Sequence, residues 1–296
     1  KLSIIKPSKI YISQDGPRKN IKRDINLCNE VKKILKEVNW NCEVKYKINK
    51  NNLGCRISVS SAISWLFENE DVGIILEDDC IPSQSFFKFC QKMLNKYEKN
   101  NEIFVISGSN FQKNKFIGDG DYYFSKYAHC WGWATWKRAW YHYDDSMKFW
   151  NNFKEKDIWK KIHKNNLERK YWERIFNNVK NKKIDSWAYV WLASVWNFNG
   201  ITITPNINLI SNIGFNKDAT NTLSAGKNSD FTHSKEFKND IKDPGKIIIN
   251  TEADEFVFNN HFNGKYNFWP WRLLYLLKIL MKDPKTFYLR LKKYLT

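Results

Sequence analysis

The sequence predicts an α/β fold, a mostly parallel central sheet flanked by helices, and three observations carry that expectation. Short apolar runs alternate with segments of helical spacing through the first third of the chain. With 296 residues, 42% of them hydrophobic, the chain is long enough for one large core. No Gly/Ser/Pro tract or internal repeat divides it; the composition changes only at a Trp-rich middle and a basic tail. The expected organisation is one domain over 1–262 and a basic amphipathic tail over 263–296.

The elements follow in order. KIYISQDGP (9–17) alternates like a strand and ends in a Gly-Pro turn. Ile21, Ile25, Cys28, Val31, Leu35 and Val38 recur at helical spacing over 21–38. VKYKI (44–48) reads as a second strand, and 55–69 as a helix with Ile57, Ala62, Trp65 and Leu66 near one face. VGIILE is a short apolar run suited to a strand buried on both faces. Ser83 is placed to cap the helix SFFKFCQKMLNKY, whose Phe86, Cys90, Met93 and Tyr97 face the core. IFVISGS (103–109) and ITITP (201–205) are further strands. Between them, ten of the fourteen tryptophans fall in a largely helical stretch from Trp131 to Trp196, where most are core. Residues 214–245 read as a polar loop region.

Charge and cysteine narrow the function. The 49 Lys+Arg against 31 Asp+Glu give +18, which favours anionic partners or reflects a Lys- and Asn-rich surface. No recognisable nucleic-acid module accompanies the charge, so nucleic acid is not an expected partner. The six cysteines have no zinc-like spacing, and free thiols in a reducing cytoplasm are expected. From Phe268 the tail combines Trp, Leu and Tyr with Lys278, Lys282, Lys285 and Lys292. Its apolar run is too short to span a bilayer. Two readings stand: a helix in the interface of an anionic membrane, or a helix docked on the domain's own core.

GIILEDDC (73–80) drives an apolar strand into three consecutive carboxylates, Glu77, Asp78 and Asp79. Ligands gather at the carboxyl ends of parallel strands. Mg2+ and Mn2+ take carboxylate and phosphate oxygens, and such a cation would offset the mutual repulsion. The alternative is a solvated strand end, with Asp79 helping to cap the next helix.

SQDG (13–16), NLGCR (52–56), GIILEDDC and SFFKFC (85–90) occur in one order, followed by HCWGWATWKRAW (129–140), DSWAYVW (185–191) and PNINLISNIGF (205–215). Together they resemble the GT-A (Rossmann-like) nucleotide-sugar glycosyltransferases, in the branch similar to N-acetylglucosaminyltransferase I and its bacterial relatives. The resemblance implies transfer of a sugar, with inversion, from a UDP- or dTDP-sugar to a glycan or lipid-linked acceptor in cell-surface polysaccharide synthesis, at the cytoplasmic membrane face. It implies that Asp79 ligates Mn2+ or Mg2+, that Asp78 contacts ribose or sugar, and that Glu77 supports them. It further implies that Asp15 accepts from uracil N3–H and that Arg56 faces the nucleotide. Trp131 and Trp133 are placed near donor and acceptor. Asp185 is the candidate base: some relatives carry WDYQW here, whereas this chain has Ala188 in the acid's place, with Asp144 and Asp145 in reserve. The family also has a central strand ahead of the SQD strand, which this sequence does not contain. A catalytically silent glycan-binding or nucleic-acid-binding protein is the competing class.

Overall fold

The computed structural model describes residues 2–214 and 233–284, together with Tyr288. Much of the 214–245 loop region lies outside the described residues, as do Lys285 and Lys292. In chain order the first half contains α1 (Leu2–Ile5), β1 (Lys9–Gln14), α2 (Lys22–Ile34), β2 (Glu43–Ile48), α3 (Cys55–Asn69), β3 (Val72–Ile75), β4 (Cys80–Pro82), α4 (Gln84–Lys96) and β5 (Ile103–Ser107). The rest supplies β6 (Tyr122–Ser125), β7 (Trp133–Trp136), α5 (Lys137–Trp140), α6 (Trp150–Phe153), α7 (Asp157–Ile162), α8 (Asn166–Lys180) and α9 (Trp187–Asn197). After these come β8 (Ile201–Pro205), β9 (Ile210–Asn212), α10 (Thr251–Asn260) and α11 (Trp271–Lys282).

Every strand expected from apolar patterning is present as β1, β2, β3, β5 or β8. The sheet differs from expectation. Its order is β3-β7-β5-β8-β6, and only β5 and β8 pair in parallel. β7 runs antiparallel between β3 and β5, and β6 antiparallel along β8, so the central sheet is mixed rather than mostly parallel. The reason is local. β6 and β7 are four residues each and buried at every position, so no alternation marks them, and WATW lies among tryptophans that read as helix. β1 and β2 form their own parallel pair; α3 packs on both β1 and β3, yet the two strands do not pair with each other.

Helices cover both faces of the five-stranded sheet, which is why β5 is buried along its whole length. On one face α4 seats Phe86, Phe89, Cys90 and Met93 against Ile106, Tyr122, Phe124 and Ile203. Ser83 caps this helix as expected, its hydroxyl accepting from the Phe86 N–H at 3.2 Å. The other face is the tryptophan core: Trp133, Trp150, Trp159, Trp172, Trp191 and Trp196 are fully buried between the sheet, α8 and α9. Each such ring removes roughly 150–250 Å² from water, worth on the order of 4–6 kcal/mol of gross transfer free energy. That scale explains why most of the Trp-rich segment serves packing.

Candidate functional site

The turn after β3 holds the acidic triplet. The Cys80 N–H donates to the Glu77 carbonyl at 3.1 Å, so Asp78 and Asp79 occupy the two central positions of a β-turn leading into β4. β4 pairs antiparallel with β9, and the Ile213 N–H donates to the Asp79 carbonyl at 2.9 Å. This brings residues 210–214 against the triplet. A Cβ on Gly214 would lie 2.3 Å from Asp79 Oδ2, so only glycine lets the backbone come this close to the carboxylate.

The end of β1 and the start of α3 form the facing wall. The Asp15 carboxylate accepts from the backbone N–H groups of Gly16, Leu53 and Gly54 at 2.9–3.2 Å. It also accepts from the side-chain amides of Asn49 and Asn52 at 3.2 and 3.0 Å. These donors occupy both oxygens of a group with about four lone-pair sites. Asp15 therefore braces the 49–54 loop. Gly54 precedes α3 with φ +79°, a conformation that favours glycine, and no side chain caps the helix. Asp185 lies beside it: a Cβ on Gly54 would sit 3.6 Å from Asp185 Oδ2. Asp185 is exposed and does not cap α9; Ser186 does, accepting from the Tyr189 N–H.

Electrostatics shows how these pieces meet. Burial pushes the Cys55 thiol up to about 11, and the charges of Glu77, Asp185, Asp78 and Asp15 add to it. The Cys55 thiol thus feels the charge of four of the predicted acids, two of which, Asp15 and Asp185, lie against Gly54. Glu77 is itself pushed up to about 7, first by burial and then by Asp79 and Asp78. Cys130 is raised by burial and by the nearby Glu77, Cys80 and Asp79, which sets the 129–131 segment beside the triplet. Among the described residues no three His, Cys, Asp or Glu side chains form a protein-only metal site. Mg2+ commonly uses one or two carboxylates with phosphate oxygens and water, so oxygen donors of this kind suit such a hard cation. The unfavourable crowding at Glu77 is what a cation among these carboxylates would relieve.

The remaining predicted residues divide. Trp131 is partly exposed, its ring near Phe111 and His261 at 5.4 and 6.3 Å between centroids. Trp133 is fully buried between Trp187 and Trp191 at 5.7 and 5.9 Å, a core position out of reach of a sugar. Arg56 points its guanidinium to Asp145 and to the carbonyls of Asp145 and Val179. Asp145 is occupied by that pairing and by the Tyr143 hydroxyl, while Asp144 accepts from Ser146 and Lys148. The sequence reading missed Asn49 and Asn52 as the braces of Asp15; their place in the NKNNLG run (49–54) ending at Gly54 was the available signal. A scan against protein-family models matches no family, and a search of curated proteins finds no similar sequence.

Proposed function

We propose that the chain is a metal-dependent glycosyltransferase, moving a sugar from a UDP- or dTDP-sugar to a hydroxyl of a glycan or lipid-linked acceptor. The observation that carries this reading is that Asp15 and Asp185 lie against Gly54 at the uncapped start of α3, with Glu77 and Asp78 of the turn after β3 near enough for their charge to act on the Cys55 thiol. Asp79 would hold Mn2+ or Mg2+ and Asp78 would contact the donor's ribose or sugar, with Glu77 in support. When bound, that ion supplies positive charge against the departing nucleoside diphosphate. The first turn of α3 adds backbone N–H groups and the positive end of its dipole to the same place. Asp15 holds the loop that aims this helix; a bound nucleobase would then meet the 49–54 loop rather than a free carboxylate.

Asp185 is the base. It takes the proton of the acceptor hydroxyl as that oxygen bonds to the anomeric carbon, and the electron pair of the breaking bond leaves on the diphosphate. Its exposure and its freedom from capping suit a group that meets an incoming acceptor. Trp131 is the aromatic surface within reach of a sugar ring.

Titrating UDP into the protein by calorimetry, with and without Mn2+, tests the reading. Metal-dependent binding that disappears in Asp79→Asn, with transfer but not UDP binding lost in Asp185→Asn, is the expected result. A folded protein that binds no UDP in either condition defeats it. Salt-sensitive affinity for RNA, or sugar binding without UDP release, would then assign the chain to the competing class.

A further inference from the structure

α11 is turned the wrong way for a helix packed on its own domain. At about 100° per residue, Leu273, Leu274, Leu277 and Met281 share one arc of about 100°. These four side chains are 43, 52, 44 and 80% exposed. Trp271 continues the surface and Trp269, just before the helix, is 76% exposed. The half-buried side instead holds Arg272, Tyr275, Leu276 and Ile279. That side rests chiefly on the 3₁₀ turn Gly264–Asn267, where Tyr266 and Tyr275 stack at 5.1 Å and Lys265 lies over the Trp271 ring at 5.6 Å. A surface helix of a self-contained domain hides its apolar stripe. Here the stripe faces out.

We infer that this face is a docking surface for an anionic lipid bilayer, lying in the interface with the Leu273–Leu274–Leu277–Met281 arc in the acyl boundary. Three features select a membrane over a second copy or another protein. From Trp271 to Thr296 there are seven Lys or Arg against one acid, Asp283, and the whole chain carries +18. Trp269 and Trp271 stand at one end of the apolar arc, the amphipathic side chains that settle at headgroup depth. Lys278 flanks the arc, where a long basic side chain keeps its ammonium at the headgroups while its stem stays apolar. The helix does not cross: twelve residues extend about 18 Å against a hydrocarbon core of about 30 Å, and no described helix is long and apolar enough to span. The surface is independent of the transfer chemistry.

Co-sedimentation of the full chain with vesicles tests it. One set is phosphatidylcholine alone; the other contains about one third phosphatidylglycerol, so that each basic side chain near the surface adds on the order of fivefold in affinity. The expected result is binding to the anionic set and at least about tenfold weaker binding to the neutral set. The variant Leu274→Gln/Leu277→Gln/Met281→Gln changes exposed positions only. With an unchanged near-ultraviolet dichroism spectrum, it should bind anionic vesicles at least about tenfold more weakly. Three results overturn the inference: no binding to anionic vesicles, equal binding by the folded variant, or a concentration-dependent dimer in sedimentation velocity that the variant abolishes. The last would make the face a self-interface.

Discussion

Replacing Arg56 by Met separates a structural cation from a ligand-binding one. The Arg56 side chain is 8% exposed, and its Nε donates to Asp145 Oδ1 at 2.7 Å. Its other nitrogens donate to the Val179 carbonyl at 3.2 Å and to the Asp145 carbonyl, tying the start of α3 to the end of α8. Asp145 is 42% exposed, so solvent screens the ion pair and its share is about 1 kcal/mol. The two carbonyls lose charged donors, about 1.5–3 kcal/mol each. Met keeps much of the stem's packing, so the total is about 4–7 kcal/mol. Arg56→Lys keeps the charge but not the planar fork, and is placed at about 2 kcal/mol. Asp145→Asn, acting on the screened partner, costs about 1 kcal/mol. Urea unfolding at constant slope measures all three. An Arg56→Met cost below about 1 kcal/mol, or lost nucleotide binding at unchanged stability, would refute the structural role and return Arg56 to the donor site.

Two further tests follow from local chemistry. Ser186→Ala should cost about 1 kcal/mol by uncapping α9, whereas Asp185→Asn should stay within about 0.5 kcal/mol, measured by thermal unfolding. The buried acids Glu168 and Asp254 should shape pH dependence in opposite directions. Burial alone would raise Glu168, but His163 at 3.6 Å and Lys126 at 2.8 Å together outweigh it and hold the carboxyl at about 2. Its stabilisation is complete above the ordinary value of 4.5 and is lost as pH falls toward 2, about 3 kcal/mol in all. Asp254 is pushed up to about 7 by burial despite accepting from Ser125 and the Lys126 N–H. Its contribution is complete below 3.8 and is lost as pH rises through 7. In unfolding series across pH, Glu168→Gln should flatten the acid limb and Asp254→Asn the limb toward neutrality; a profile unchanged by either variant would show that these groups are not shifted.

Particular residues show where reading the chain succeeded and where it stopped. The Ser83 cap, the core side of α4 and the strands β1, β2, β3, β5 and β8 were legible, because each depends on side chains within a few positions of one another. β6 and β7 were not, since four consecutive buried residues carry no period. Trp131 and Trp133 look alike in HCWGWATW, yet one is partly exposed and the other sealed by Trp187 and Trp191 from a helix about fifty residues away. Asp185 and Ser186 both suit an N-cap, and only the backbone path assigned that role to Ser186.

Sequence by itself therefore determined the strand–helix rhythm, the placement of Glu77, Asp78 and Asp79 at a strand end, and the joining of apolar and basic residues in the tail. Those are short-range properties, written in periodicity and composition. Tertiary structure decided that the sheet is mixed, that Asp15 braces a loop, that Arg56 pairs with Asp145, and that Asp185 faces Gly54 and Cys55. It also decided that the leucine side of α11 points outward. Each of these rests on which distant segments pack together, because a buried charge or an open lone pair takes whichever partner the fold brings near.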